Sequence, residues 1–225
     1  MGISKQIGWS PEANLYYQIS QQLDRLISVT SKVVLTPPIP TVTIGSQKWM
    51  LQNLNVDRYA NGDLIEEVQD PSQWGSLTTG AWCYYDNDPA NGEIYGKLYN
   101  WFAVTDPRGL APEGFHIPSY AEYFTLFTTV GNPADAGINL KEAGFAHWDA
   151  PNTGATNSSG FTALPGGVRG KFSTFLNIGL INGLWTTTEN DASSAVTIYL
   201  FSNTVAAEYA NNEKGWGYSV RAIKN

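Results

Sequence analysis

Cysteine and histidine are scarce in this 225-residue sequence, which contains one cysteine and two histidines. The lone Cys83 rules out an intrachain disulfide and a thiolate metal cage. We interpret it as a small buried hydrophobic residue, because no sequence neighbour would lower its pKa. His116 and His147 are too few to form a metal site, and neither a GxSxG motif nor a paired acid marks His116 as catalytic. The sequence therefore predicts no catalytic residue, no metal and no cofactor.

Basic residues are also few, with 13 Lys and Arg against 20 Asp and Glu, for a net charge of −7. No basic run occurs, which argues against a nucleic-acid partner. No apolar run is long enough to span a membrane, and the first residues, MGISKQIGWSPEANLYY, contain no apolar export segment and no lipobox cysteine. We therefore expect no membrane span and no export through a signal peptide.

Glycine and aromatic residues, by contrast, are plentiful, with 22 glycines, 8 tryptophans and 13% aromatic residues overall. This composition is typical of a loop-rich fold pinned by aromatic side chains, and not of a helical bundle. The chain is 42% hydrophobic and long enough for one globular domain with a real core and a short appendage.

The segment SGFTALPGGVR, from Ser159 to Arg169, combines two signals. Apolar residues alternate over 161–164, as in a half-buried strand. The glycines and the proline around them favour a tight bend. We therefore predict a short strand that runs into a glycine turn beside Arg169.

Several other segments predict regular structure. Thr41–Ile44 and Trp49–Leu54 form a hairpin pattern around Gly45-Ser46, and 81–85 is typical of a strand. The aromatic segment 98–104 is expected to be buried.

Two helices are predicted in the middle of the chain. Ser119 and Glu122 form a capping-box pattern for a helix to about Val130, and a second short helix is expected near 134–143. His116 precedes the first helix, and we interpret it as a structural residue that ties a loop to the core.

The loop DNDPANGE, residues 86–93, contains four side chains with oxygen donors. Their spacing does not match an EF-hand, and Pro89 to Gly92 has its own turn chemistry. We favour a solvated turn over a calcium site, and calcium titration by calorimetry distinguishes the two.

The N-terminal part predicts a helix that begins at Ser10, with Pro11 in the first turn. A helix of this length needs its apolar stripe buried, either on its own domain or, as we favour, in a coiled-coil stalk or on a partner. The sequence TPPIP then supplies a stiff connector. We predict an anchor and helix over 1–35, a proline-rich linker over 36–42 and a domain over 43–225. The anchoring and oligomerisation residues are Ile3, Ile7, Trp9, Tyr16, Ile19, Leu23 and Leu26.

Six blocks of the sequence stand out in order: WMLQNLN (49–55), WCYYDNDPANGEIYGKLYNWFAV (82–104), GFHIPSYAEYFTL (114–126), SGFTALPGGVR (159–169), GLWTTTE (183–189) and YSVRAIK (218–224). Taken together, these blocks resemble the FISUMP family (the Fibrobacter succinogenes major paralogous domain). The resemblance implies an α+β, C-type-lectin-like scaffold that displays loops, and it does not imply an enzyme. Family members often carry further cysteines, where this chain has residues such as Ala222, which fits folding in a reducing compartment.

The C-terminal third holds the candidate ligand-binding residues. In lectin-like scaffolds this region carries the ligand-facing loops, and aromatic faces with amide side chains suit sugar rings or protein epitopes. We interpret Trp185 and Tyr218 as core residues, because they lie inside the family blocks. The candidate binding residues are Tyr209, Asn211, Asn212 and Trp216.

Three functional classes follow. The first 23 residues also resemble the N-terminal anchors of fibre proteins from phages of gut Bacteroidetes, which implies a virion surface protein. In that reading a homotrimer made in the host cytoplasm docks on a capsid or tail protein, and its lectin-like head binds host glycans or proteins. The alternative is a bacterial cell-surface or secreted adhesin of the same family, against which the missing export signal counts. The third class is an enzyme, which the residues present do not support. The paired cysteines or metal-bound histidines of related lectin-like enzymes are missing, as are the Glu-Pro-Asn and Gln-Pro-Asp triplets of calcium-dependent lectins.

Overall fold

The computed structural model describes residues 11–30, 38–172 and 174–225. It divides the chain into two compact units, Met1–Ile39 and Pro40–Asn225. The predicted anchor residues Ile3, Ile7 and Trp9 lie outside the described residues, as do the predicted cap Ser10 and the side chain of Leu26.

The first unit contains helix α1, Pro11–Thr30, which confirms the predicted N-terminal helix. Tyr16, Ile19 and Leu23, three members of its apolar stripe, each expose more than half of their surface. In the part of the chain that the structure describes, no helix combines the length and apolar character needed to cross a membrane.

The second unit contains short helices and several small sheets, in agreement with the predicted α+β class. The C-type-lectin-like part of that prediction stays an expectation. The helices are α2 (Pro71–Ser76), α3 (Pro89–Tyr95), α4 (Trp101–Val104), α5 (Tyr120–Val130) and α6 (Ala136–Leu140). The strands are β1 (Thr41–Ile44), β2 (Gln47–Met50), β3 (Glu66–Glu67), β4 (Ala81–Cys83), β5 (Leu98–Tyr99), β6 (Phe115–His116), β7 (Gly166–Arg169), β8 (Phe175–Ile178), β9 (Ile181–Glu189), β10 (Ser194–Phe201), β11 (Ala207–Glu213) and β12 (Ile223–Lys224).

Four sheets organise these strands, in the orders β1-β2-β12-β6, β11-β10-β9, β3-β4-β5 and β7-β8. In the first, Ile223 near the C-terminus pairs with both Trp49 and His116, so β12 lies between β2 and β6. The second is a fully antiparallel ribbon in which β10 is the central strand. Helix α5 packs against this ribbon through buried Tyr123, Leu126 and Phe127. The larger hydrophobic core therefore lies between α5, β10 and the first sheet.

Two arginines are fully buried and hold distant loops together. The guanidinium of Arg169 donates to the carbonyl oxygens of Val68, at 2.5 Å, and Gln69, at 2.9 Å. It also lies 4.3 Å above the ring of Trp74. The two hydrogen bonds satisfy backbone carbonyls that lie outside the sheets. The face of the Trp74 ring replaces part of the hydration that the buried guanidinium loses.

Arg221 plays the corresponding role in the larger core. Its Nε and Nη2 donate to Asn53 Oδ1 at 3.1 and 2.9 Å, and Nη1 donates to the carbonyl of Phe161. The guanidinium carbon lies 4.4 Å from the centre of the Phe161 ring. Burial lowers the pKa of Arg221 to about 10, which leaves the group charged at neutral pH.

Two buried lysines, Lys141 and Lys97, make similar contacts with backbone carbonyls and aromatic rings. Lys141 donates to the carbonyl oxygens of Thr153, Phe201 and Thr204 at 2.9 to 3.1 Å, and burial lowers its pKa to about 8. Lys97 Nζ lies 4.1 Å from the ring centre of Trp82. Several irregular loops are thus fixed by cations that bridge carbonyls and aromatic faces.

The glycine segment around 166 differs from its prediction. Residues 161–165 contain an isolated bridge at Ala163, and the strand is β7, which begins at the glycines themselves. Gly167 has φ +66°, and an added Cβ would lie 2.5 Å from Tyr85 Cε2. The glycines are therefore needed for close packing inside a strand rather than for a turn.

The boundaries of the first hairpin and of the strand at 81–85 also differ from their predictions. The first hairpin is confirmed, but its second strand is Gln47–Met50, because the turn at Gly45 places Ile44 opposite Gln47. Strand β4 ends at Cys83, before a 3-10 turn at Tyr85–Asn87.

Of the two helices predicted in the middle of the chain, the first is confirmed and the second is shorter than predicted. Helix α5 and its capping box at Ser119 and Glu122 are confirmed, whereas the second predicted helix is shorter, Ala136–Leu140. The predicted solvated turn at 86–93 was wrong for its second half, which is helix α3. There Asp88 Oδ1 accepts from the Ala90 N–H at 2.9 Å, and Pro89 occupies the first turn.

Replacing Arg221 with lysine is expected to lower the free energy of unfolding by about 2–4 kcal/mol, because an ammonium cannot reproduce the fork to Asn53 and Phe161 and leaves buried acceptors unpaired. Urea denaturation measures the loss. The control is Arg58→Lys, since Arg58 makes an exposed hydrogen bond to the Gly62 carbonyl. Equal midpoints for the two variants would contradict the structural role of Arg221.

Candidate functional site

The four candidate binding residues lie on or just after β11, the edge strand of the ribbon β11-β10-β9. In its register Tyr209 faces Ile198, Asn211 faces Val196 and Asn212 faces Ala195. Because side chains alternate along a strand, Tyr209 and Asn211 point to the α5 side of the ribbon and Asn212 points to the other side. The structure therefore does not bring all four residues together.

The α5 side carries a shallow groove with a volume of about 350 Å³. Tyr209, 60% exposed, has its ring centre 4.8 Å from that of Tyr120. Phe124, also exposed, lies 6.2 Å from Tyr120 by the same measure. We call this the α5 groove; it is lined by Tyr120, Phe124, Phe127, Pro133, Ala207, Glu208 and Tyr209.

The opposite side carries a series of aromatic rings, which we call the aromatic strip: Phe201, Tyr199, Tyr218 and Trp216. Tyr199 stacks on Phe201 at 5.5 Å and meets Tyr218 edge-on at 5.8 Å. Trp216 lies parallel to Tyr218 at 6.0 Å. Tyr218 is buried, whereas Phe201, Tyr199 and Trp216 are partly exposed. The strip thus presents three ring surfaces to solvent on a fixed support.

A glycine makes room for the centre of the strip. Gly183 of β9 lies opposite Tyr199, and an added Cβ at Gly183 would come within 2.6 Å of Tyr218 Cδ1. Trp185, two residues further along, meets Tyr218 edge-on at 4.8 Å and donates from Nε1 to the carbonyl of Tyr99. Trp185 and Tyr218 are fully buried, which confirms their interpretation as core residues.

Polar groups accompany the aromatic rings. The hydroxyls of Tyr199 and Tyr218 are 2.6 Å apart, and burial raises the pKa of both residues. Asn212 is close enough to Tyr199 to oppose the rise in its pKa, yet its buried Nδ2 makes no well-aligned hydrogen bond. Thr197, on the same side of the ribbon, also has a buried hydroxyl without a partner. Rings with nearby amide and hydroxyl groups can bind a sugar or a protein epitope.

The sequence prediction missed part of this strip. It identified Trp216 of the strip and the neighbouring Asn212, but it did not name Tyr199 and Phe201 as candidates. Their two-residue spacing on β10 is the signal that places them on one side of a strand.

The two histidines have acidic partners that the sequence did not reveal. His116 Nε2 lies 2.6 Å from Glu122 Oε1, and its Nδ1 lies 2.7 Å from Asn225 Oδ1. Glu122 Oε2 also accepts from the Ser119 hydroxyl, so the acid serves both the capping box and the histidine. His147 Nδ1 lies 2.9 Å from Glu142. These contacts agree with the prediction that His116 ties a loop to the core.

Cys83 is fully buried and free, as predicted. Burial raises its pKa to about 11, although nearby Arg169 opposes the change. The thiol therefore stays protonated at neutral pH. Within residues 11–30, 38–172 and 174–225, no three histidine, cysteine or acidic side chains converge as metal ligands would.

One comparison with known proteins gives a match. The family model described as the Fibrobacter succinogenes major domain matches residues 42–224. No curated protein and no solved structure gives a significant match.

The His116–Glu122 pair predicts a pH-dependent contribution to stability. Burial lowers the pKa of His116, but hydrogen bonds to Glu122 and Asn225 outweigh it, so the net pKa is raised above 6.5. Burial raises the pKa of Glu122, but its hydrogen bonds with Ser119 and His116 lower it below 4.5 overall. The histidine contribution is therefore complete below about pH 6.5 and is lost as the pH rises through the folded-state pKa.

We expect His116→Gln to destabilise the protein more at about pH 5.5 than at about pH 8.5. Thermal melts of the variant and the unmodified chain at both pH values measure the difference. An equal loss at the two pH values would mean that the contact stabilises without involving charge.

Proposed function

The chain belongs to the Fibrobacter succinogenes major domain family, and from this we propose that it is a cell-surface or secreted adhesin. In this proposal the domain binds glycans or proteins on another surface, and the aromatic strip forms the contact. The family match covers the domain and therefore bears on the binding unit.

The partial exposure of Phe201, Tyr199 and Trp216 is the observation that carries the proposal. Each ring is fixed by a neighbouring ring, so ligand binding orders few side-chain rotors. Asn212, half-buried beside Tyr199, supplies an amide group next to the rings for the polar groups of a ligand. No catalytic group is needed for such a function.

Self-association through α1 is the second part of the proposal. Tyr16, Ile19 and Leu23 follow helical spacing and are exposed in the first unit. Burial of this stripe between copies would form a short stalk, and a homotrimer would bind a repetitive surface with increased avidity.

A virion fibre protein is the second candidate function. Its specific support is the same exposed stripe on α1, which could attach the protein to a capsid or tail, together with the resemblance of the first 23 residues to phage anchors. In that case the site of action is the virion surface. The family match favours the adhesin, because it supports the domain and not the anchor.

We expect Trp216→Ala to weaken binding to a bacterial envelope preparation or an arrayed glycan by about tenfold, because it removes one of the exposed rings. Tyr209→Ala is the matched control from the α5 groove and should retain binding. Surface plasmon resonance measures both, with circular dichroism to verify folding. Loss of binding only with Tyr209→Ala would move the site to the α5 groove, and retention in both variants would contradict either location.

The oligomer is tested separately. Size-exclusion chromatography with light scattering should show a trimer for the full chain and a monomer for a chain that begins at Thr41. Ile19→Glu with Leu23→Glu should also give a monomer, because charges in the stripe prevent its burial. A monomeric full chain would contradict the stalk.

A further inference from the structure

A cleft of about 260 Å³ lies where four segments of the domain meet. They are the end of α2 with the residues that follow it (75–78), the β7–β8 turn at Lys171, the β9–β10 turn at 192–193, and the end of β11 with the next two residues (213–215). Phe102 of α4 contributes an apolar wall. We call this the four-loop cleft. No residue predicted from the sequence as a binding residue lines it.

Two lysines and one glutamate line the cleft, and each lysine is paired with a carboxylate, although Glu189 lies outside the lining. Lys171 Nζ lies 2.8 Å from Glu213 Oε2. Lys214, only 8% exposed, pairs with Glu189 and also donates to the Ala192 carbonyl at 2.9 Å. Each ammonium group thus has its own carboxylate. In a chain of net charge −7, a cleft whose ammonium groups are each paired with a carboxylate offers no free charge to an ionic ligand and favours an uncharged polar one.

The Lys171–Glu213 pair leaves hydrogen-bonding capacity at the cleft. Both side chains are partly exposed. An ammonium has three donors and a carboxylate has two oxygens, and this contact uses one of each. Adjacent free donors and acceptors complement two neighbouring hydroxyls, since each hydroxyl both donates and accepts.

An exposed aromatic ring lies beside the same cleft. Phe172, in the β7–β8 turn, is 85% exposed. Its Cδ1 lies 4.0 Å from the Cβ position that a side chain at Gly75 would have, and Gly75 lines the cleft. A single exposed phenylalanine would need no explanation. Next to a polar cleft, its flat apolar face suits the C–H face of a sugar ring.

We propose that the four-loop cleft binds one pyranose unit of a neutral glycan. The ring of Phe172 stacks on the sugar, and the Lys171–Glu213 pair binds two neighbouring hydroxyls. This inference rests on the proposed function in one respect, namely that a glycan is among the ligands of the domain. It differs from the aromatic strip in location and in the chemistry of its polar contacts.

The test uses the full chain on an array of neutral and acidic oligosaccharides, followed by calorimetric titration with the neutral oligosaccharide that binds best. Phe172→Ala and Glu213→Gln should each weaken binding by about tenfold, because one removes the stacking face and the other a charged acceptor. Phe145→Ala is the matched aromatic control, since Phe145 is also well exposed. Glu93→Gln is the matched acidic control, because Glu93 is exposed on α3 and does not line the cleft, the α5 groove or the aromatic strip. Both controls should bind as the unmodified chain does.

The outcomes separate this inference from the proposed function. Neutral-glycan binding that Phe172→Ala and Glu213→Gln leave unchanged overturns the cleft and leaves the adhesin intact. Preference for acidic oligosaccharides overturns the argument from charge balance. If no oligosaccharide binds while envelope binding persists, the cleft proposal fails and the adhesin recognises another ligand. Absence of both activities overturns both proposals.

Discussion

The domain depends on buried cations that lie against aromatic faces and donate to backbone carbonyls. Its sheets have two to four strands and cannot satisfy the carbonyls of the long irregular segments between them. Arg169 satisfies carbonyls about a hundred residues away in sequence, at Val68 and Gln69, and Arg221 joins Asn53 to Phe161. The hydrogen bonds and the ring faces together offset the cost of removing each charge from water.

Several of the residues that make these contacts, or that pack beside them, lie in the six sequence blocks. Trp49, Lys97, Arg169, Trp185 and Arg221 all lie in those blocks, and all are buried. The blocks therefore specify how loops are fixed in place, and they carry little information about a ligand.

The sequence predicted elements whose signals are local. The capping box of α5 and the helical spacing of α1 need only neighbouring residues, and both helices are present. The other predictions were wrong because they depend on contacts between residues that are distant in sequence. Gly166 and Gly167 had the composition of a turn, but they lie in β7, which pairs with β8, and they leave no room for a Cβ beside Tyr95 and Tyr85. The candidate site was predicted as loops, so the alternation that separates Tyr209 from Asn212 on opposite sides of β11 was not used.

The position of β12 has a consequence for biosynthesis. Ile223 lies between β2 and β6, so the first sheet lacks the strand that joins β6 to the β1–β2 hairpin until residues 223–224 have been translated. Arg221, just before it, arrives equally late. A ribosome-bound chain that has exposed only the earlier strands cannot close this sheet. Completion of this sheet therefore follows the emergence of residues 223–224 from the ribosome, after all the other strands of the domain have been made.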